Sequence, residues 1–248
     1  MSETPKKKSA ARKKPATKKK TAPKMEAPKE TPKTDTRRDD QQMRQAVLEA
    51  ALPHAAFDGF TDAVMQKACL EAGCVTGDLA RLFENGPAGL IEFYSASVDA
   101  EMEKRLAAMD LKAMKIRARV AAAVKTRLAI LRPHKEAARR AAALLSLPMN
   151  VSLGAKLTYR TVDAMWRAAG DTATDFNFYT KRGILAGVYG ATVMRWLNDT
   201  SEDEAATDEF LAARIENVMQ FEKFKGQAKT VLANLPAFGD WLKPKAKP

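Results

Sequence analysis

The sequence predicts an all-α fold, on three observations. Ala, Leu, Lys, Arg and Glu are abundant, and no run alternates apolar and polar residues as a half-buried strand does. Apolar residues instead recur at three- and four-residue steps through successive segments. Those segments stop at Pro133, Pro148 and Gly170. With 248 residues, 46% of them hydrophobic, the chain can bury a sizeable core. No stretch approaches the roughly 18 consecutive apolar residues of a spanning helix. No apolar h-region stands near the N-terminus, so neither a membrane span nor a secretory signal is expected.

Four segments follow one another. Residues 1–38 are expected to be a disordered basic tail. Residues 1–36 hold 11 Lys and one Arg against three Glu and one Asp, so +8 of the net charge of +12 resides there. This Lys/Pro/Ala/Thr stretch lacks the apolar residues needed to fold. It could hold nucleic acid or an anionic membrane surface, or simply stay solvated. Residues 39–87 read as a helix-turn-helix-like unit. Asp39–Leu52 is apolar at Met43, Ala46, Val47, Ala50 and Ala51, and Phe57–Phe83 holds two short helices around a turn at Ala72-Gly73. Residues 88–216 form a helical body. Its helices are Gly89–Met109, Ala113–Arg132, His134–Leu147, Leu153–Ala169, Asp175–Leu197 behind a Thr/Asp cap, and one from Thr207 with Asp208 and Glu209 in its first turn. Residues 217–248 form an amphipathic segment, giving a bundle of about nine or ten helices.

The opening three helices resemble those of tetracycline-repressor (TetR) type regulators in spacing and composition. A TetR-type DNA-binding transcriptional regulator is therefore the rival function. In that motif the second helix enters the major groove and needs donors to bases and phosphates. Here it is Thr76–Phe83, which offers Asp78 to the phosphates and only Arg81 as a cation, with Gly77 near its start. No specific nucleic-acid binding is expected.

Catalytic motifs are absent. His54 and His134 are the only histidines, and neither has a second His or a Glu-x-x-His partner. Glu202, Asp203, Glu204, Asp208 and Glu209 read as a solvated acidic run. There is no G-x-S-x-G, P-loop or G-x-G-x-x-G. The reading is of a non-enzyme without catalytic residues, metal or cofactor. Cys69 and Cys74 lie five apart without CxxC spacing, and are expected to be buried free thiols in a reducing compartment.

The densest stretch runs from Asp171 to Gly190. Asp175, Phe176, Asn177, Phe178, Tyr179, Lys181 and Arg182 crowd into two turns, where an ordinary helix start needs one cap and an apolar stripe. Exposed aromatics beside Arg favour an interface, with core packing of Phe176 and Tyr179 the other reading. Together, LLSLP (Leu144–Pro148), YRTVDAMWRAAGDTATDFNFYTKR (Tyr159–Arg182) and LAGVYGATVMRWLND (Leu185–Asp199) resemble the lipid-binding accessory family of ubiquinone (coenzyme Q) biosynthesis. The resemblance covers nearly everything from Gln41 to the C-terminus. Its W-R-A-A-G-D-T-x-T-D-F-N-x-Y-T-K-R pattern is long and rich in uncommon residues, hence specific.

The resemblance implies a TetR-like fold that has lost DNA binding. It implies a homodimeric, non-catalytic accessory protein that binds an isoprenoid lipid or ubiquinone precursor and presents it to the di-iron demethoxyubiquinone hydroxylase at the membrane. It implies a docking face at Asp175, Asn177, Phe178, Tyr179, Lys181 and Arg182, with Phe178, Tyr179 and Arg182 as anchors. Between the long helices a ligand cavity is expected, walled by Leu144, Leu147, Met165, Trp166, Leu185, Val188, Tyr189 and Met194. Plain core is the alternative for each. Gly154, Gly183, Gly187 and Gly190, each costing about 1 kcal/mol against alanine inside a helix, point to open space or close helix packing.

In the last segment Phe221, Phe224, Ala228, Val231, Leu235, Phe238 and Leu242 recur at helical steps. Leu232 and Trp241 flank the stripe, and Lys223, Lys225, Lys229 and Lys243 lie off it or at its border. Such a helix suits the plane of an anionic membrane. Phe221, Phe224, Val231, Leu232, Leu235, Phe238 and Trp241 are its membrane-facing residues, with Pro236 kinking it. Docking on the body or on a second subunit is the other reading, and the resemblance favours peripheral membrane contact. The basic tail is Lys-rich rather than Arg-rich and broken by proline, so it makes a poor mitochondrial transit peptide. A bacterial cytoplasm, peripheral to the inner membrane, is expected ahead of the mitochondrial matrix side.

Overall fold

The computed structural model describes residues 33–75, 77–171 and 176–234, with side chains over 39–75, 77–171 and 178–220. Among them stand nine α-helices and no strand. They are α1 (Lys33–Asp58), α2 (Asp62–Glu71), α3 (Asp78–Leu82), α4 (Gly86–Ala107), α5 (Ile116–Leu131), α6 (Lys135–Leu145), α7 (Val151–Ala168), α8 (Phe176–Leu197) and α9 (Ala205–Asn234).

Helix α1 is longer than its apolar pattern suggests. It begins at Lys33, inside the segment assigned to the tail, and continues through Pro53. Pro53 stands on the exposed face. Val47, Leu48, Ala51, Leu52 and Ala55 bury one continuous stripe on both sides of it, against α2 and α6. Helix α2 starts behind Thr61, whose hydroxyl accepts the Val64 N–H at 3.3 Å.

The end of α2 corrects the cysteine expectation. Gly73 adopts φ +78°, the Cys74 N–H donates to Cys69 O at 2.9 Å, and the Gly73 N–H donates to Leu70 O at 3.1 Å. This is a Schellman stop, which folds the sixth residue back over the first. It brings the Cα atoms of Cys69 and Cys74 to 5.1 Å, and the two form a disulfide inside the core. They are not free thiols, and the argument from free thiols to a reducing compartment goes with them.

The remaining helices build one body. Helix α4 lies on α5 and α7; α7 and α8 form an antiparallel hairpin; α9 packs on α8 and α5. Trp196, Leu90, Ile91, Met102, Met165 and Leu211 are fully enclosed between them. Asp199 starts α9. Its carboxylate accepts Thr207 N–H at 2.7 Å and Ser201 N–H at 2.9 Å, and both hydroxyls at 2.6 Å. Hydrogen bonds from Ser201 and Thr207 hold this carboxyl well below the usual range. The neighbouring acidic run is not wholly solvated, because Glu204 pairs with Arg132 at 3.0 Å and Lys135 at 3.2 Å.

Candidate functional site

Among the described residues of the Asp171–Gly190 region, Asp171, Phe178, Tyr179, Lys181 and Arg182 stand at the corner between α7 and α8. Gly170 sits at φ +86°, with Gly170 N–H donating to Arg167 O at 3.0 Å and Asp171 N–H to Trp166 O at 3.0 Å. The W-R-A-A-G-D run is therefore a second Schellman stop. The nearly buried Asp171 carboxylate takes Lys181 Nζ at 2.7 Å and Arg182 Nη1 at 3.2 Å. Arg182 also donates through Nε to Asp163 at 2.7 Å and through Nη1 to Phe178 O at 3.2 Å. Its guanidinium lies 3.4 Å from the centroid of the Phe178 ring. The indole N–H of Trp166 donates to Lys181 O at 3.2 Å.

This geometry divides the expected docking face. Tyr179 is 68% exposed and meets Phe178 edge-on, with ring centroids 5.1 Å apart and planes at 76°. Lys181 is half-exposed but tied to Asp171. Arg182 is only 3% exposed, so it is not presented as an anchor, because two carboxylates draw it inward. Asp175 and the side chain of Asn177 lie outside the described residues.

A cavity of about 450 Å³ opens at the other end of the hairpin, enclosed by α4, α5, α6, α7 and α8. Its walls are mainly apolar: Ile91, Leu131, Leu145, Leu157, Val193 and Trp196. The outer lip carries Val151, 57% exposed, and Met194, 60% exposed. Polar groups gather at the inner side. Arg127 donates from Nε to Asp99 at 2.7 Å, from Nη1 to Tyr189 Oη at 2.5 Å and from Nη2 to Ser95 Oγ at 3.1 Å. Thr161 Oγ1 donates to Asp99 at 2.8 Å. Burial opposes the Arg127 charge, but Tyr189 and Asp99 outweigh it and hold the guanidinium above its ordinary value. Burial pushes the Tyr94 phenol up to about 12, so it stays protonated at neutral pH.

Of the eight wall residues expected from sequence, Tyr189 and Met194 line this cavity. Met165 and Leu185 are core; Leu144, Trp166 and Val188 pack against it; Leu147 is exposed. The cause is the hairpin. Met165, Trp166 and Leu185 lie toward its closed corner, whereas the cavity lies where the first half of α7 meets the last half of α8. Sequence reasoning missed Tyr94, Ser95, Asp99, Arg127 and Thr161. A signal was there: Arg127 interrupts the stripe Val120, Val124, Leu128, Leu131, and a charge on a buried stripe implies a paired site. Gly190 lines the cavity, and a Cβ there would meet nothing within 4 Å, whereas at Gly154 it would press on Leu145 O at 3.2 Å.

The first unit offers less. Helix α3 has five residues, and its Arg81 is engaged by Asp40 and Asp78. His54 pairs with Glu71 at 3.0 Å. Among the described residues no group of three or more His, Cys, Asp or Glu could hold a metal ion, and no helix is long and apolar enough to cross a membrane. The backbone of α9 is helical to Asn234, but the side chains of Phe221, Phe224, Val231 and Leu232, and all of Leu235, Phe238 and Trp241, lie outside the described residues.

Comparison with known proteins fits this picture. Residues 151–222 match the sequence profile of the COQ9 family. The chain is 31% identical to "Ubiquinone biosynthesis protein COQ9, mitochondrial" of Rattus norvegicus, over 77% of this chain and 63% of that protein. It is 32% identical to "Ubiquinone biosynthesis protein COQ9-B, mitochondrial" of Xenopus laevis, over 73% of this chain and 64% of that protein. The chain thus spans less than two thirds of the length of these relatives. A crystal structure described as the TetR transcriptional regulator from Nitrosomonas europaea ATCC 19718 superposes with a TM-score of 0.58 at 18% identity, over 71% of this chain and 97% of that chain. That likeness establishes a TetR-like fold. Sequence and fold together agree with the resemblance carried by Trp166–Arg182: residues 151–222 match the COQ9 family and lie in a TetR-like, all-α body.

Proposed function

We propose that this chain is a non-catalytic accessory protein of ubiquinone biosynthesis that binds an isoprenoid quinone precursor and presents it to the demethoxyubiquinone hydroxylase. The single observation that carries the reading is the cavity of about 450 Å³ between α4 and α8, a size suited to a small ligand. The COQ9 family match supports it, because residues 151–222 include α7 and α8, which supply much of its wall. Exposed Tyr179, at the other end of the same hairpin, is our proposed docking aromatic. The protein works as a homodimer, held peripherally on a membrane through residues 217–248. The division into residues 39–87, 88–216 and 217–248 belongs to the same reading.

A DNA-binding regulator is the competing reading, favoured by the fold likeness to a transcriptional regulator. Against it stand the shortness of α3 and the engagement of Arg81 by two carboxylates. Mass spectrometry of lipids extracted from the purified protein tests the proposal. We expect an isoprenoid quinone or its ring precursor at near-stoichiometric amount. Preparations consistently free of isoprenoid would overturn it.

A further inference from the structure

We infer that the connection between α4 and α5 is a lipid-facing contact of the body, in which Met109, Met114 and Ile116 enter the boundary of an anionic membrane while Lys112 and Lys115 meet its head groups. The inference rests on the proposed membrane attachment through residues 217–248 and adds a second contact, built on the body itself.

The connection is exposed, yet its shape is fixed. Leu111–Ala113 form one 3-10 turn, capped by Asp110, whose carboxylate accepts the Ala113 N–H at 3.4 Å. Arg119 holds three backbone carbonyls around it. It donates through Nε to Met114 O at 3.0 Å, through Nη2 to Lys112 O at 3.2 Å and through Nη1 to Ala169 O at 3.0 Å. The connection is thereby tied to the end of α7, beside the corner that carries Tyr179. Leu111 packs against the core, while Met109, Met114 and Ile116 stay 42%, 40% and 46% exposed. Single exposed apolar residues are ordinary, but three in so short a stretch, interleaved with cations, form a patch.

Charge narrows the partner. Among the described residues neither Lys112 nor Lys115 is paired with a carboxylate, and Arg117 reaches Glu216 only at 3.9 Å. By contrast, Lys156, Arg160 and Arg167 have carboxylates at 2.9, 2.6 and 3.1 Å. The route of α9 adds a second argument. Lys125 pairs with Asp208 at 2.7 Å and Arg117 with Glu216, so α9 runs antiparallel to α5 and passes its first turn at Glu216. The backbone of α9 stays helical to Asn234, so the segment assigned to the membrane leaves the body beside this connection. Unpaired lysines among half-exposed apolar side chains match an anionic lipid boundary, which answers the charge and buries the apolar area. A duplex answers the charge only. Three partly exposed side chains and two lysines do not offset the freedom a whole protein loses on binding. The connection therefore orients a chain that residues 217–248 hold, and turns the Tyr179 corner toward the membrane.

A fluorophore on the full chain tests this. Cys69 and Cys74 are joined to each other, so Met114→Cys takes an environment-sensitive thiol label at one place. Met149→Cys is the reference, since Met149 is 80% exposed and lies in the turn before α7, at the cavity end. In phosphatidylglycerol–phosphatidylcholine vesicles with nitroxide-bearing acyl chains, the label at 114 is expected to be quenched several-fold more than the label at 149. Lys112→Gln and Lys115→Gln are each expected to weaken binding to these vesicles about fivefold, with an unchanged melting temperature. Equal quenching at the two positions in a chain that floats with the vesicles overturns the inference and leaves attachment through residues 217–248 standing. A chain that does not float overturns both. An emission shift at 114 that grows with protein concentration in the absence of vesicles would give the patch to a second copy of the chain. Lysine variants that weaken duplex binding but not vesicle binding would give it to nucleic acid, and either result overturns the inference.

Discussion

The guanidinium of Arg182 bridges carboxylates from two sides of the α7–α8 corner, Asp163 on α7 and Asp171 beyond its end. Replacing it by glutamate would place a third carboxyl group beside Asp163 and Asp171, against the remaining pairs of Arg167 with Asp163 and Lys181 with Asp171. Breaking a buried pair costs about 3–5 kcal/mol, a large share of a domain's total stability. Arg182→Glu is therefore expected to lower the melting temperature sharply and to lose near-ultraviolet circular dichroism. Tyr179→Ala removes an exposed ring and is expected to leave stability within about 0.5 kcal/mol. It is thus the variant that isolates docking, with hydroxylase capture in a pull-down reduced at unchanged helicity. A normal melt for Arg182→Glu would refute the corner as an electrostatic clasp, and full capture by Tyr179→Ala would move the docking face.

The joint between α8 and α9 depends on one residue, Asp199, which accepts four hydrogen bonds from Ser201 and Thr207. Because its folded carboxyl is held below the ordinary value, its contribution is complete above the unfolded pKa, about 3.9. It is lost as pH falls from there through the lower folded value. Asp199→Asn is expected to melt earlier than wild type at pH 7, since an amide nitrogen cannot accept. The gap between the two should close as the pH drops below the usual carboxylate range. A gap independent of pH would show that the carboxylate charge is not what starts α9. Joints of this kind explain what the sequence made legible. Pro133, Pro148 and Gly170 marked helix ends because Pro lacks an N–H and Gly tolerates positive φ, and the observed helices end close to them. The Cys69–Cys74 disulfide escaped because spacing was compared with CxxC rather than with the reach of a Schellman stop at Gly73. Most of the cavity wall escaped too. Periodicity shows which face of a helix is apolar but not which end of a hairpin stays open, and that put Met165 and Leu185 in the core.

Across the whole molecule, charge is unevenly placed. Residues 1–36 carry +8 of the net +12. In the body many cations are held in pairs, among them Arg81 with Asp40 and Asp78, Lys156 and Arg160 with Glu92, and Arg167 with Asp163 and Glu103. In the proposed reading, contact with an anionic surface falls mainly to the N-terminal tail and to the segment with Lys223, Lys225 and Lys229. Each lysine near an anionic surface contributes about 1 kcal/mol, and apolar residues such as Phe221 and Phe224 add burial that DNA does not offer. The full chain is therefore expected to bind anionic vesicles more tightly than neutral ones, and to bind duplex DNA only weakly and without preference for sequence. Removing residues 1–32 should abolish the DNA binding, which raised salt should also eliminate. It should leave measurable vesicle binding. Adding Lys223→Glu, Lys225→Glu and Lys229→Glu to that shortened chain should then eliminate vesicle binding without lowering the melting temperature. Vesicle flotation and salt-titrated fluorescence anisotropy read the two arms. Undiminished flotation of the doubly altered protein would place the membrane contact on the body instead. A lowered melt would mean that the lysine-bearing stretch of α9 and beyond packs internally, and a salt-resistant complex with one duplex sequence would restore the regulator reading.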